Sequence, residues 1–372
     1  MRNTLLLTLS LAAVIGGTTA LPAAKAPKAP AAPKPKVDII AYYAGDATGF
    51  KQYPTEKLTH IIYSFLHLKG ATFAFDKPQD QATVAALVAL KAKHPQLKVM
   101  LSLGGWTGCE TCSQVFSTEQ GRTEFAASVK QVLAATHTDG IDLDWEYPAI
   151  AGPPGHRFAP EDRHNFTLLV QALRTTLGKS YEISFAAGGY PEYLKKSVEW
   201  TAVMPLVNRV NLMSYDLVNG YSTTTGHHTP LYSTSKQIPS VDNGVHFLDS
   251  VGVAPSKIVI GAAFYARVFN GVASANQGLY QAGKFKKAFD YRTFADSLSA
   301  ARGFTTYWDA TAQAPYAYSP ARQEFASFDD EKSIRLKTRY ARDKHLGGIM
   351  FWELTGDKPK HGLLDAMYQA AQ

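Results

Sequence analysis

Eight short runs of apolar and β-branched residues recur along the chain, and longer segments with helical periodicity separate them. The runs occupy residues 37–43, 60–65, 98–103, 140–146, 182–187, 209–215, 258–264 and 348–352. Strands that alternate with helices pair in parallel, because a parallel neighbour is reached only through a crossover connection. Eight such units predict an α/β fold, a closed (β/α)8 TIM barrel. An open doubly wound sheet is the alternative, but no Gly-x-Gly-x-x-Gly follows the first run.

One interval interrupts this alternation. Residues 267–327 are rich in Tyr, Phe, Gly and Ala without a helical period, and they are too many for an ordinary loop. We predict a small α+β insertion between the seventh and eighth strands, followed by a helix at 329–345. The barrel would then comprise residues 37–266 and 346–372, and the insertion with its helix residues 267–345. An insertion after the seventh strand would stand at the mouth of the barrel and form one wall of a groove.

The first residues indicate export. Arg2 precedes an apolar run at residues 5–15, and small residues follow at 16–20, which is the layout of a secretory signal peptide. Residues 21–36 are nearly all Ala, Pro and Lys, a composition typical of an extended linker. We therefore expect a secreted or periplasmic protein that has no membrane segment once residues 1–20 are removed.

The charge balance argues against nucleic acid as a partner. The formal net charge is +7, but five of the cations lie in the N-terminal tail, and the remaining 33 basic side chains face 31 acidic ones. Those five are Arg2, Lys25, Lys28, Lys34 and Lys36. A nearly neutral body with a basic tail favours an uncharged substrate. We also expect a monomer without metal or cofactor.

The two cysteines, Cys109 and Cys112, form a Cys-x-x-Cys motif. Without a second pair or a nearby His cluster, a zinc site lacks ligands. A redox-active pair is conceivable, but an oxidising compartment favours a structural disulfide in a surface loop.

The segment 139–148 is a row of carboxylates that alternate with apolar residues. Side chains alternate faces along a strand, so Asp142, Asp144 and Glu146 share one face. In a parallel barrel the apolar set faces the helices, and the acids point inward. Carboxylates packed this closely cannot all ionise, and a raised pKa suits Glu146, at the carboxyl end of the strand, for general acid catalysis. A metal site and a solvated acidic loop are the alternatives.

This row resembles the Asp-x-x-Asp-x-Asp-x-Glu signature of glycoside hydrolase family 18, the chitinases and their relatives. Four further segments are similar to motifs of that family, in the family's order. They are residues 102–105 (Ser-Leu-Gly-Gly), 213–216 (Met-Ser-Tyr-Asp), 265–267 (Tyr-Ala-Arg) and 348–352 (Gly-Ile-Met-Phe-Trp). The likeness extends over roughly residues 37–370, and the long interval before the last strand resembles the chitinase insertion domain.

The resemblance implies a retaining chitinase in which the substrate's own acetamido oxygen replaces a carboxylate nucleophile. Glu146 would protonate the leaving oxygen, and Asp144 would hold the acetamido N–H while Asp142 shares a proton beneath it. Tyr215 would donate its hydroxyl to the acetamido oxygen. The substrate would be chitin or a chitooligosaccharide.

A polysaccharide groove should be lined with aromatic rings, on which sugars stack. The substrate-binding residues that the motifs imply are Trp352, Trp106, Tyr43, Tyr147, Met213, Asp216, Tyr265 and Arg267, with Tyr221 as a weaker candidate. Trp145 should be core, because its position in the strand points toward the helices. For the adjacent His227 and His228 we predict a solvated or groove-wall role rather than a metal site.

Two alternatives remain open. An endo-β-N-acetylglucosaminidase acting on N-glycans would use the same acids. A chitin-binding lectin of this family would bind without cutting, but such proteins typically lack the acid at the position of Glu146, which is present here.

Overall fold

The structure, a computed structural model, describes Met1 and residues 36–372. Apart from Met1, the predicted signal peptide and the linker up to residue 35 lie outside the described residues. Within residues 36–372, no helix combines the length and the apolar composition that crossing a bilayer requires.

The described part of the chain forms fourteen strands. They are β1 (Asp38–Tyr43), β2 (His60–Lys69), β3 (Thr72–Ala74), β4 (Lys98–Gly104), β5 (Gly140–Asp144), β6 (Glu182–Gly188), β7 (Arg209–Met213), β8 (Ile258–Ala263), β9 (Tyr265–Asn270), β10 (Lys284–Asp290), β11 (Thr305–Asp309), β12 (Ala314–Ser319), β13 (Glu324–Ser327) and β14 (Gly348–Trp352). Eight of them pair in parallel in the order β1, β2, β4, β5, β6, β7, β8 and β14, and β14 pairs with β1. This confirms the closed barrel.

Ten α-helices lie within residues 36–372, and all but α8, a short helix of the insertion, cover the outside of the barrel. They are α1 (Pro78–Ala89), α2 (Cys112–Phe116), α3 (Glu119–Thr136), α4 (Asp162–Leu177), α5 (Pro191–Lys196), α6 (Trp200–Val203), α7 (Val241–Ser250), α8 (Phe294–Ser297), α9 (Glu331–Asp343) and α10 (Leu363–Ala370). Trp145 is buried between Phe116 of α2 and Phe166 of α4, with ring centroids 5.5 and 6.3 Å away. The apolar face of the β5 segment therefore packs on the helices, as its alternation predicts.

Three of the predicted strands end earlier than the sequence pattern indicates, and one of them, β8, does so by a single residue, at Ala263. β5 ends at Asp144 rather than at residue 146, and β7 ends at Met213 rather than at residue 215. Glu146 and Tyr215 consequently lie just beyond the carboxyl ends of their strands. This is the end of a parallel barrel where loops can surround a substrate.

Between β8 and β14 the chain builds a second sheet. Its five strands are all antiparallel, in the order β10, β9, β13, β12 and β11. It begins at Tyr265, two residues before the predicted boundary, and α9 follows it. Because β9 directly follows β8, this insertion starts at the carboxyl end of a barrel strand and stands beside the mouth.

A fully buried ion pair ties the insertion to the barrel. Lys337 of α9 lies 2.8 and 2.7 Å from the two carboxylate oxygens of Asp329 and donates to the carbonyl and the hydroxyl of Thr229. Asp329 also accepts from the backbone N–H of Ala263, at the end of β8. The pair therefore joins α9, β8 and the loop that follows β7.

A second charged cluster fills the amino end of the barrel interior. Glu182 of β6 accepts from Arg209 of β7 and lies 3.3 Å from Nε2 of His60 of β2. Burial alone would raise the pKa of Glu182, but its hydrogen bond with His60 and the charge of Arg209 outweigh that effect and lower the pKa to about 2. Because this cluster lies at the end opposite the mouth, we assign it to stability.

This cluster predicts a loss of stability in acid. An unfolded glutamate takes up its proton near pH 4.5, whereas folded Glu182 does so only near pH 2. Its contribution is therefore complete above about pH 4.5 and is lost as the pH falls toward 2. Glu182→Gln should reduce the difference between the unfolding free energies at pH 7 and pH 3 by up to about 2 kcal/mol, because folded Glu182 is still ionised at pH 3. Urea unfolding measures this, with the exposed Glu124→Gln as control; an unchanged difference would contradict the prediction.

Candidate active site

The floor of the site is the Asp142 carboxylate inside the barrel. Its oxygens accept hydrogen bonds from Tyr42 (3.0 Å), Ser102 (3.0 Å), Ser184 (2.6 Å) and Asn211 (3.0 Å). These four donors come from four strands, and the register sets Ser102 and Ser184 beside Asp142. Burial raises the pKa of Asp142, and the hydrogen bonds oppose that rise. Four donors on two oxygens favour the ionised form.

Asp144 stands above this floor, one side chain further along the same face of β5. It is 5% exposed, and its Oδ1 is buried without a hydrogen-bond partner. Its pKa is raised well above the usual range, first by burial and then by the charges of Glu146 and Asp142. With Asp142 ionised below it, Asp144 is the member of the pair that holds a proton. Its unpartnered oxygen is free to bind a group that enters the site.

Glu146 is the last of the three acids. Burial raises its pKa to about 7, the charge of Asp216 adds to the rise, and a hydrogen bond with Tyr147 opposes it. A carboxyl group with a pKa near neutrality can donate a proton and later accept one. The row thus carries fewer negative charges than carboxyl groups, as the alternation predicts.

Tyr215 lies two residues beyond the carboxyl end of β7. Its hydroxyl lies 3.8 Å from Sδ of Met350, and burial followed by the charge of Asp144 raises its pKa well above the usual value. The hydroxyl therefore keeps its proton and can act as a donor. Met213 and Tyr265 belong to the same apolar cluster inside the barrel.

Asp216 and Arg267 form a pair between the loop after β7 and the insertion. Nε and Nη2 of Arg267 lie 2.7 and 2.5 Å from the two carboxylate oxygens of Asp216. The guanidinium also lies 5.3 Å from the ring centroids of both Tyr265 and Phe285. Burial would raise the pKa of Asp216, but the nearby imidazole of His228 and the hydrogen bonds and charge of Arg267 hold it well below its usual range. Asp216 is therefore an anion that faces Glu146.

Aromatic rings line the mouth on two sides. Trp352 stacks on Phe65 at a centroid distance of 5.6 Å. Across the mouth, Trp106 lies 6.2 Å from Tyr147 and 6.1 Å from Tyr221, and it is 39% exposed whereas Tyr221 is 66% exposed. Exposed rings at a barrel mouth are surfaces on which sugars can stack.

The glycines of the 102–105 motif permit a close backbone approach. A Cβ on Gly104 would lie 2.3 Å from the carbonyl oxygen of Asp144, and Gly104 has a φ of +104°. The backbone N–H of Gly105 donates to that same carbonyl at 2.9 Å. A larger residue at 104 would displace the strand that carries the acid row.

The predicted sugar contact at Tyr43 is wrong. Its side chain is fully buried on the outer face of β1, against Phe50, and its hydroxyl donates to the carbonyl of Asp46. The neighbouring Tyr42 faces inward instead and contacts Asp142. Tyr42 is not among the residues that the motifs imply, although the two-residue alternation of β1 points its side chain inward.

Of the two roles predicted for the histidines, solvated or groove-wall, the solvated one is wrong. His227 and His228 are both fully buried, because the insertion covers the loop that carries them. His227 contacts Asp309 of β11 at 3.0 Å, and the backbone N–H of His228 donates to Ser327 of β13.

Cys109, in the loop between β4 and α2, is joined in a disulfide to Cys112, the first residue of α2. Among residues 36–372, no group of three or more His, Cys, Asp or Glu side chains is arranged to hold a metal ion. The acid row and Tyr215 can transfer protons and make hydrogen bonds.

The sequence of this chain is similar to those of known glycosyl hydrolases. The family model of the glycosyl hydrolases family 18 matches residues 38–357. Chitinase A1 of Niallia circulans is 35% identical over 319 residues, which cover 78% of this chain and 45% of that protein. Chitinase 1 of Aphanocladium album is 30% identical over 341 residues, 82% of this chain and 77% of that protein. The chain thus spans less than half of the first relative and about three quarters of the second.

Solved structures show the same fold. A glycoside hydrolase family 18 N-acetylglucosaminidase from Paenibacillus barengoltzii has a TM-score of 0.82 at 37% identity, over 90% of this chain and 99% of that chain. Chitinase ChiA74 from Bacillus thuringiensis has a TM-score of 0.84 at 28% identity, over 90% of this chain and 69% of that chain.

Proposed function

Because the chain belongs to glycosyl hydrolase family 18, we propose that it is a chitinase that hydrolyses β-1,4-linked N-acetylglucosamine polymers or oligomers with retention of configuration. The observation that carries the proposal is the graded acid row. Asp142 is held by four donors, Asp144 keeps a buried oxygen without a partner, and the pKa of Glu146 is about 7.

In the first step the acetamido oxygen of the bound sugar attacks its own anomeric carbon. The bond between that carbon and the glycosidic oxygen breaks, and Glu146 gives its proton to the departing oxygen. Asp144 accepts a hydrogen bond from the acetamido N–H and stabilises the positive oxazolinium ion as its own proton passes to the side of Asp142. Tyr215 donates to the acetamido oxygen. The attack is intramolecular, and this can remove about 7–11 kcal/mol of the barrier.

In the second step the ionised Glu146 takes a proton from water, whose oxygen attacks the anomeric carbon and reopens the ring. Glu146 regains its proton, and two inversions at one carbon give overall retention. One residue can serve as acid and then as base because its pKa is near the working pH.

The pKa values predict a bell-shaped pH profile for kcat/KM. Glu146 must be protonated at the start, so activity should fall as the pH rises through about 7. The Asp142–Asp144 pair must keep one negative charge, so activity should also fall in acid, at a higher pH than ordinary carboxyl groups would give. Asp216→Asn should move the alkaline limb to lower pH, since the charge of Asp216 raises the pKa of Glu146. A chromogenic chitooligosaccharide at constant ionic strength measures both limbs; an alkaline limb that Asp216→Asn leaves in place would contradict the assignment.

A product time course on defined N-acetylglucosamine oligomers tests the proposal. We expect shorter oligomers whose new reducing end is first the β-anomer. Binding without release of reducing ends would instead identify a lectin. Release from a high-mannose glycoprotein but not from chitin oligomers would identify an endo-β-N-acetylglucosaminidase.

A second candidate is stepwise release of single N-acetylglucosamine units. The solved structure from Paenibacillus barengoltzii, which is 37% identical and is matched over 99% of its chain, is named an N-acetylglucosaminidase. The same time course decides: monomer as the first product from a hexamer supports this candidate, and dimers or trimers as first products support an endo-acting chitinase.

We further propose that the protein is exported and acts as a monomer. Residues 1–20 have signal-peptide composition, and a single chain contributes every residue of the acid row and the aromatic mouth. Mass spectrometry of the extracellular protein tests the first point, since a mature chain that retains residues 1–20 would contradict cleavage. Light scattering tests the second.

A further inference from the structure

His228 is a buried imidazole that the proposed reaction does not use. Its side chain has no exposed surface, and neither ring nitrogen has a close hydrogen-bond partner. A buried polar group without a partner costs free energy, so its retention calls for a physical reason. The nearest polar group is the Asp216 carboxylate, with 3.5 Å between Nδ1 and Oδ1.

The backbone holds this imidazole in one place. The N–H of His228 donates to Oγ of Ser327 at 2.8 Å, and its carbonyl accepts from the N–H of Leu217 at 3.1 Å. The ring lies against Tyr265, with centroids 5.2 Å apart. His228 therefore links the insertion with the loop that carries Asp216.

Asp216 needs such support. Its φ is +56°, in the left-handed region that a residue with a side chain rarely adopts. The ends of its carboxylate meet Arg267, which approaches from β9, and the charge of Asp216 reaches Glu146. A small rotation of Asp216 would change both the direction of Arg267 and the charge that faces the general acid.

The charge state of His228 follows from its surroundings. The groups that face it are Asp216, Arg267, Asp329 and the ring of Tyr265. Burial lowers its pKa, and the opposing pull of Asp216 does not restore it. The ring is therefore neutral at working pH, and a proton on Nδ1 points at Asp216 without adding a second cation beside Arg267.

We propose that His228 is a positioning residue, which fixes the Asp216 carboxylate together with Arg267 and through Asp216 sets the charge that faces Glu146. The 3.5 Å separation is at the long limit of a hydrogen bond. Such contacts shorten when substrate is bound. The inference rests on the proposed function, because it assigns His228 to the same site.

A double-mutant cycle with Asp216 tests this role. His228→Phe keeps a ring of similar shape against Tyr265 but removes the donor, and His228→Asn keeps an N–H donor. We expect His228→Phe to lower kcat/KM on chitooligosaccharides about tenfold, the loss typical of one hydrogen bond to a charged group, and His228→Asn to stay within about threefold. In an Asp216→Asn background, His228→Phe should cost less than about twofold, because the group it acts on is gone.

Two results would overturn the proposal. The first is an equal loss from His228→Phe in both backgrounds, which indicates a purely structural role. The second is an unchanged kcat/KM in the single variant. Should the phenylalanine variant not fold, His228→Ala takes its place in the same cycle.

The four proteins of the cycle are the wild type, His228→Phe, Asp216→Asn and the double variant. Their measurements also distinguish a failure of this inference from a failure of the proposed function. If the wild type does not cleave chitin oligomers, the proposed function fails, and coupling between His228 and Asp216 is read from the unfolding free energies instead. Additive unfolding free energies would then reject the contact. If the wild type cleaves but the cycle is additive in kcat/KM, only the role of His228 fails.

Discussion

Glu146→Gln should lower kcat for the hydrolysis of chitooligosaccharides by about 10²–10⁴-fold, the range expected when a positioned general acid is lost. Glutamine keeps the size and the hydrogen-bonding capacity of the side chain but cannot release a proton to the departing oxygen. Because the substitution leaves Asp144, Tyr215 and the aromatic rings of the mouth in place, substrate binding should persist. KM or the dissociation constant for an oligomer should therefore change by less than about tenfold.

Steady-state kinetics with a chromogenic oligomer and calorimetric binding of an uncleaved one provide the measurements. Glu192→Gln is the matched control, since Glu192 is exposed on α5 and pairs with Lys196, and it should leave kcat unchanged. A Glu146→Gln variant that retains wild-type kcat would remove Glu146 from the chemistry.

Lys337→Met should lower the free energy of unfolding by about 3–5 kcal/mol, the cost of leaving a buried carboxylate without its counter-ion. Lys337 and Asp329 are both fully buried. Lys337 donates four hydrogen bonds, two to the carboxylate of Asp329 and two to Thr229. Methionine fills the same space but leaves Asp329 with donors that carry no charge. Because Asp329 and Thr229 join α9 to β8 and to the loop after β7, activity should fall together with stability.

Urea unfolding at pH 7 measures this loss. Lys332→Met is the matched control on the same helix. Lys332 is exposed and lies 3.6 Å from the ring centroid of Trp308, so its loss should cost about 1 kcal/mol or less. The double change Lys337→Met with Asp329→Leu should recover part of the lost stability, because it removes both buried charges. Equal losses of unfolding free energy from Lys337→Met and Lys332→Met would contradict a stabilising role of the buried pair.

Some of the site can be predicted from local pattern alone. The alternation of residues 139–146 assigns Asp142 and Asp144 to the interior and Trp145 to the helices, and the structure has this arrangement. Alternation works because successive side chains in a strand point to opposite faces whatever lies around them. The eight strands follow in the same way from composition and spacing.

At the end of β1 the family motif implied the wrong one of two neighbouring tyrosines. Tyr43 and Tyr42 are adjacent, and both are tyrosines at the end of the first strand. The inward position belongs to Tyr42 because Ile40 and Tyr42 share the interior face, whereas Tyr43 packs on Phe50. The two-residue alternation of side chains along β1 distinguishes the two tyrosines, whereas their aromatic character does not.

The primary sequence by itself predicted the eight strands, their alternation with helices and the row of acids, because each of these patterns lies within a few residues of the chain. Tertiary structure alone decided the four donors around Asp142, the burial of His228 and the pairing of Lys337 with Asp329. Each of these depends on barrel closure, strand register or the seating of the insertion on a loop. Such contacts join residues from about 8 to more than 100 positions apart, and no local periodicity records them.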